Sequence, residues 1–251
     1  MTRNTDRPVA IVTGASRGLG KAIALKLAKE GYNLSLAARS EEAMRHLQQE
    51  LANEGAFSLV TPADLTDCED RKALVKRTMD EFGRVDVLVN NAGVGSMEKF
   101  VDIDWNDVTY QVDLNLVAPM HLSRLVLDDM VSRGSGKIVN ISTLGASMHI
   151  PRLVTYGTTK SGLEHFTRAL RKELKGSGVS VSAVIPGGIA DTGMTRSLEA
   201  RSGVRLSGPM AKGMTSPAAV ANDVIEVIKK DQAEKVSARG GTIIRAFPSV
   251  G

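Results

Sequence analysis

Tyr156-Gly157-Thr158-Thr159-Lys160 sets a phenol and an ammonium four residues apart. On a helix that spacing is about one turn, and the two groups face the same way. A free tyrosine has a pKa near ~10 and is a poor base at neutral pH. A neighbouring cation favours the phenolate and lowers that value. The pair therefore suits general acid–base work, giving a proton to an alkoxide or taking one from an alcohol. The same spacing also occurs on ordinary amphipathic helices, so the elements around it decide what it means.

The first of those elements carries a glycine loop, Thr13-Gly14-Ala15-Ser16-Arg17-Gly18-Leu19-Gly20, between a β-rich run and a helical one. Gly14 allows a sharp turn off the strand, Gly18 a close backbone approach to a pyrophosphate, and Gly20 tight packing of helix on sheet. Ser16, Arg17 and Leu19 complete a loop whose helix N-terminus offers N–H groups and partial positive charge to phosphates. The second β-rich run ends in Ala37-Ala38-Arg39-Ser40, with no acid before Glu41. NAD sites usually place an Asp or Glu there for the ribose 2′-hydroxyl, whereas arginine accommodates a 2′-phosphate. Arg17 and Arg39 thus predict NADP(H) over NAD(H). Asp64-Leu65 follows the third run and Asn90-Asn91-Ala92-Gly93 the fourth. Asp64 is placed to accept from an adenine amino group, Asn90 to clamp neighbouring strand ends, and Gly93 to leave room for a ribose.

Two periodicities alternate along the chain. β-rich runs fall at Pro8–Thr13, Asn33–Ala38, Ser58–Pro62, Val85–Asn90, Lys137–Ser142, Val179–Ile185 and Gly241–Phe247. Between them, apolar residues recur at three and four, as in Met44, Leu47 and Leu51, or Leu74, Val75, Met79 and Phe82. One long helix is predicted over Trp105–Val131, another over Tyr156–Lys175, and a last over Ala218–Lys230, capped by Ser216-Pro217. Strands this apolar are covered on both faces. The pattern predicts an α/β fold: a doubly wound parallel sheet of Rossmann type, about seven strands with helices on both faces, forming one domain over residues 1–251. Gly187–Thr215 breaks the rhythm and reads as a substrate loop inserted after a strand's carboxyl end.

Composition excludes several classes. No apolar run reaches the roughly 18–20 residues of a membrane span, and the short polar N-terminus does not resemble a signal peptide. Cys68 is the only cysteine, so no intrachain disulfide forms, in keeping with a cytoplasmic location. It sits among Asp67, Glu69 and Asp70, which disfavour a reactive thiolate. The net charge of +4 is spread among interleaved acids, with five Phe, three Tyr and one Trp for stacking, so no nucleic-acid stripe is expected. His46, His121, His149 and His165 show no metal-ligand spacing; His149 is placed to line a substrate cleft. Ser16 lies in a phosphate loop rather than a nucleophile elbow, which argues against a hydrolase.

These motifs, in this order on these elements, resemble the short-chain dehydrogenase/reductase family in its short, single-domain, ketoreductase-like branch. The resemblance runs from Val9 to about Phe247 and rests on Thr13–Gly20, Asn90–Gly93, Asn115, Ser142-Thr143, Tyr156 with Lys160, and Pro186-Gly187. It implies Tyr156 as acid/base, Lys160 lowering its pKa and holding the nicotinamide ribose, a hydroxyl polarising the carbonyl, and Asn115 supporting a water-linked proton relay. It further implies cofactor contacts at Asn91, Ala92, Gly93, Pro186, Gly187 and Ile189. Thr143 stands thirteen residues before Tyr156, where the family usually has Ser, and Ser142 precedes it; either hydroxyl can donate. Asp191 stands where a Thr usually follows Pro-Gly, with Thr192 one later. Gly95–Phe100, Met148–Leu153 and Gly187–Thr215 are the expected pocket walls. The family implies a small carbonyl or alcohol substrate and a homodimer or homotetramer through the Trp105–Val131 and Tyr156–Lys175 helices. Arg245-Ala246-Phe247-Pro248 stands in place of the family's frequent Asp-Gly-Gly ending. A catalytically silent NADP-binding regulator or scaffold of the same fold is the rival reading; it would be signalled by loss of Tyr156 or Lys160.

Overall fold

Six of the β-rich runs become strands, β1 (Val9–Thr13), β2 (Asn33–Ala38), β3 (Ser58–Pro62), β4 (Val87–Asn90), β5 (Gly136–Ile141) and β6 (Val179–Pro186), and a further strand, β7, forms at Glu234–Ser237. They were located in a computed structural model that describes residues 6–190 and 214–237. The strands form one sheet in the order β3-β2-β1-β4-β5-β6-β7, and every neighbouring pair is parallel. Thr13 of β1 pairs with Ala37, and Asn90 of β4 with Asn140. The chain order reverses between β1 and β4, the switch point where sheets of this kind bind ligands.

The helices are α1 (Gly18–Lys29), α2 (Glu41–Asn53), α3 (Cys68–Phe82), α4 (Trp105–Val112), α5 (Ala118–Ser132), α6 (Val154–Glu173) and α7 (Pro217–Lys230). Every residue of β1 is buried, and its side chains alternate between two cores. Ala10 and Val12 join Ile23 and Leu27 of α1 and Val224 and Ile228 of α7. Ile11 joins Leu74 of α3, Leu122 and Met130 of α5 and Leu88 of β4. The doubly wound sheet read from the periodicities is therefore present. The predicted strand at Gly241–Phe247 lies outside the described residues. Among the described residues the seventh strand is Glu234–Ser237, two of whose four residues are charged and three only partly buried; it lies at the edge of the described sheet, and no apolar pattern marks it.

The single helix expected over Trp105–Val131 is interrupted by a π turn at Asp113–Val117. The cause is local. Pro119 has no N–H to give to the Asn115 carbonyl four residues back, so the regular ladder cannot pass through that point. Asn115 is thus placed at a break in the helix, where backbone polar groups leave the ladder.

Candidate active site

Thr13 Oγ1 organises the switch point. It donates to the Val89 carbonyl at 3.2 Å and accepts from the Asn91 and Ala92 N–H groups at 2.9 and 3.0 Å. The Asn91 side-chain amide donates to the Thr13 carbonyl at 2.8 Å and lies 3.4 Å from that of Gly14. Asn91, which the family resemblance places at the cofactor, therefore braces the glycine loop with its side chain. Gly14 takes a left-handed φ of 64°, and a methyl group on Gly20 would lie 2.2 Å from the Gly14 oxygen. The loop can fold this tightly only because both positions lack a Cβ.

The helix that follows is open at its start. Arg17 is its N-cap, gives no side-chain cap bond, and no acid lies in the first turn. Ser40, Asp67, Asp104 and Ser216 cap α2, α3, α4 and α7 with side-chain oxygens. The first N–H groups of α1 are thus left for an anion. Arg17 is exposed and Ser16 and Gly18 partly so, while Leu19 is buried in the core. Arg39 is exposed beyond β2, and its Nη1 donates to the Tyr110 hydroxyl at 3.1 Å; Tyr110 carried no signal in the sequence. Asp64 Oδ1 accepts from the Thr66 N–H and hydroxyl at 3.0 and 2.8 Å. The Leu65 side chain is 3% exposed and belongs to the α3–α5 core, so only its backbone lies toward the strand ends. Ala92 and Gly93 are partly exposed beside them.

Asn90 clamps strand ends, as expected, and the clamp extends further. Its Nδ2 donates to Asn140 Oδ1 at 2.8 Å, and Asn140 Nδ2 donates to Thr167 Oγ1 at 2.8 Å. This buried chain ties β4, β5 and α6 together. Asn140 and Thr167 sit in apolar surroundings as polar residues, which was the only sign of them in the sequence.

Asn115 is fully buried. Its Oδ1 accepts from the Val94 N–H at 2.9 Å, and its Nδ2 donates to the Val94 carbonyl at 2.8 Å and to Thr159 Oγ1 at 3.2 Å. A Cβ on Gly93 would meet Asn115 Oδ1 at 3.0 Å and Lys160 Nζ at 3.5 Å. Asn115, Gly93 and Lys160 therefore meet at one point, with the Asn115 side chain committed to Val94.

Lys160 is 4% exposed, and its Nζ donates to the Ile141 carbonyl at 2.9 Å. Burial pulls its pKa down to about 8. Tyr156 is partly buried. Burial pushes its phenol up to about 12, opposed by a hydrogen bond with the Thr143 side chain. The expected lowering of Tyr156 by Lys160 is not found: the ammonium is turned to Ile141, and desolvation dominates the phenol. Ser142 departs from the site. It is 3% exposed, and its hydroxyl donates to Glu164 Oε1 at 2.7 Å. Of the two hydroxyls that the sequence offered, Thr143 faces the tyrosine and Ser142 faces a buried carboxylate.

Gly95 lies flat against the Tyr156 ring; a Cβ there would come within 3.0 Å of Cδ2. Gly95→Ala is therefore expected to tilt the ring and lower kcat about tenfold, with cofactor affinity unchanged. Steady-state kinetics beside a cofactor titration checks this. Two of the expected pocket walls meet nearby: the Glu98 N–H donates to the Arg152 carbonyl at 3.0 Å, with Arg152 in a left-handed backbone, φ 72°. His149 is exposed. Pro186 ends β6, the Gly187 N–H donates to the Ser237 carbonyl at 3.5 Å, and Ile189 bridges Thr215. Asp191, Thr192 and the body of the substrate loop, 191–213, lie outside the described residues. Cys68 is exposed at the start of α3. Among the described residues no His, Cys, Asp and Glu cluster could hold a metal, and no helix is long and apolar enough to cross a membrane.

The family model described as short chain dehydrogenase matches residues 8–203. The ketoacyl reductase HetN of Nostoc sp. is 36% identical over 236 residues, 94% of this chain and 80% of that protein. A 3-oxoacyl-acyl-carrier-protein reductase of Synechocystis sp. is 38% identical over 193 residues, 76% of this chain and 78% of that protein. The crystal structure of a variant actinorhodin polyketide ketoreductase with NADPH superposes with a TM-score of 0.86 at 30% identity, covering 96% of this chain and 98% of that one. Likeness of this extent, reaching both the strand ends and the helix that carries Tyr156, makes the chain a member of the short-chain dehydrogenase/reductase family of oxidoreductases.

Proposed function

We propose that this protein is an NADP(H)-dependent ketoreductase that interconverts a ketone or aldehyde with an alcohol. The arrangement that carries the reading is the Thr143 hydroxyl set beside the Tyr156 phenol, with Lys160 buried one turn further along α6. Two hydroxyl donors that meet are suited to share one oxygen atom of a substrate. The open N-terminus of α1, the Gly14–Gly20 loop and the exposed Arg17 and Arg39 fit a dinucleotide with a 2′-phosphate. Asn91, Ala92, Gly93, Pro186, Gly187 and Ile189 would flank it. Bound NADP(H) supplies the hydride. Thr143 polarises the carbonyl, and Tyr156, kept protonated by burial, gives its proton to the oxygen as the alcohol forms. Lys160 holds the Ile141 carbonyl and, through it, the backbone that presents Thr143. Asn115 fixes the Val94 backbone ahead of Gly95 and so the surface on which the Tyr156 ring rests.

NADPH oxidation followed with acetoacetyl-N-acetylcysteamine, a 3-oxoacyl thioester, and with simple aryl ketones tests the reading. Turnover with NADPH and little with NADH is expected. Tight NADPH binding with no turnover of any carbonyl would instead support the catalytically silent rival. The cofactor assignment has its own test. Arg39→Ala removes one charge-assisted bond to the 2′-phosphate and is expected to weaken NADPH about tenfold, leaving NADH unchanged by calorimetry. Equal losses for both cofactors would contradict it.

A further inference from the structure

Glu164 is a carboxylate buried in the protein interior, 4% exposed, eight residues beyond Tyr156 and four beyond Lys160 on α6. Spacing by four sets Tyr156, Lys160 and Glu164 along one side of the helix on successive turns. Opposite them runs the segment Ile141-Ser142-Thr143, where the chain leaves β5. Each of its three residues takes one of the three partners. Lys160 Nζ donates to the Ile141 carbonyl at 2.9 Å, Ser142 Oγ donates to Glu164 Oε1 at 2.7 Å, and the Thr143 hydroxyl lies toward the Tyr156 phenol. Burying a carboxylate is unfavourable unless it is well paired. Glu164 meets that need on both oxygens: the second accepts from Arg168 Nη2 at 3.1 Å, and Arg168 Nε reaches Glu234 of β7 at 2.5 Å.

We propose that Glu164 is a positioning residue that selects the reacting hydroxyl: by engaging Ser142 it fixes the turn off β5 and leaves Thr143 to meet Tyr156. The proposal rests on the reading of Thr143 and Tyr156 as the donor pair. Two adjacent hydroxyls leave β5, and either has the chemistry to polarise a carbonyl. A buried acceptor on only one of them removes that ambiguity. The extended backbone at Thr143, φ −160° and ψ 152°, has no helical ladder to hold it. Main-chain bonds flank it, from the Ser142 N–H to the Val184 carbonyl at 2.9 Å and from the Ala146 N–H to the Thr143 carbonyl at 3.1 Å, and side-chain bonds from α6 add to them: Ser142 to Glu164 on one residue, Lys160 on the preceding carbonyl.

The chain has three tyrosines, Tyr32, Tyr110 and Tyr156, so ring-carbon NMR of tyrosine-labelled protein gives few signals, and Tyr156→Phe assigns the relevant one. Thr143→Val is expected to move that signal. Glu164→Ala and Ser142→Ala are expected to move it likewise, while Glu164→Gln, which still offers an oxygen to Ser142, restores the wild-type position. With the acetoacetyl thioester, kcat falls about tenfold in Glu164→Ala and Ser142→Ala, with KM unchanged, and recovers in Glu164→Gln. If Glu164→Ala does not fold, Ser142→Ala, which removes one oxygen, carries the test. A Tyr156 signal that moves in Thr143→Val but stays put in Glu164→Ala and Ser142→Ala overturns the proposal alone. A signal unmoved in Thr143→Val removes the donor pair itself.

Discussion

Tyr156→Phe is expected to lower carbonyl reduction roughly 10²–10⁴-fold while NADPH affinity stays near the wild-type value. The substitution removes a single oxygen. The ring keeps its seat against Gly95, and Lys160 keeps its bond to the Ile141 carbonyl, so the frame around the site is retained and only the proton donor is lost. Stopped-flow turnover and calorimetric NADPH binding on the same preparation check both halves. Full activity would remove Tyr156 from the mechanism. The wild-type pH profiles follow from the same residue. Because burial pushes the phenol up to about 12, the protonated form persists through neutral pH, and reduction holds steady there. Alcohol oxidation needs the phenolate, so its rate should climb as pH rises toward that value. Stability runs the other way. The unfolded phenol ionises near ~10 and the folded one near 12, so alkali favours unfolding between those values.

Gly20→Ala is expected to weaken NADPH roughly ten- to a hundredfold and to lower the thermal midpoint. The added methyl would lie 2.2 Å from the Gly14 oxygen and 2.6 Å from Asn91 Nδ2. Neither neighbour can step aside cheaply: one is backbone in a left-handed turn, and the other is held by the Thr13 carbonyl. Overpacking of this kind costs about 1–3 kcal/mol. The glycine loop is the part that must give way, so the strain falls on the phosphate site. Thermal melts with and without NADPH separate the two effects. A midpoint that still rises with NADPH as in the wild type would show that the loop absorbs the methyl without moving.

Much of this architecture is legible before any coordinates. The strands from β1 to β6 stand out as short runs rich in apolar and β-branched residues, even with Ser35, Asn140, Ser180 and Ser182 among them, and the glycine loop announces both a turn and a helix start. β7 is not legible, because an edge strand such as Glu-Lys-Val-Ser buries too little to show a pattern. The break at Asn115 was visible in principle, since Pro119 lies four residues on, but proline also begins helices, and sequence alone does not choose. At the site, types and order identify Tyr156, Lys160 and Asn115. Direction is what spacing withholds. Ser142 and Thr143 are chemically equivalent on paper; the thirteen-residue spacing to Tyr156 leans to Thr143, and the buried bond of Ser142 to Glu164, a residue that reads as one more charge on an amphipathic helix, agrees with it. Asn91 is a similar case: the resemblance placed it at the cofactor, and the bonds of its side chain to the Thr13 and Gly14 carbonyls could not be read from the sequence.

The latch between the Glu98 N–H and the Arg152 carbonyl joins, through main chain alone, two of the segments expected to wall the cleft. Such a bond uses no side-chain atom, so apart from the left-handed backbone at Arg152 the joint makes little demand on which residues stand in the two segments. The scaffold that holds Tyr156 and Thr143 can persist while the walls are exchanged. Laboratory evolution aimed at Met97, Phe100, His149 or Leu153 should thus yield folded proteins with altered substrate range far more often than random substitution does, and the same freedom is open to natural divergence.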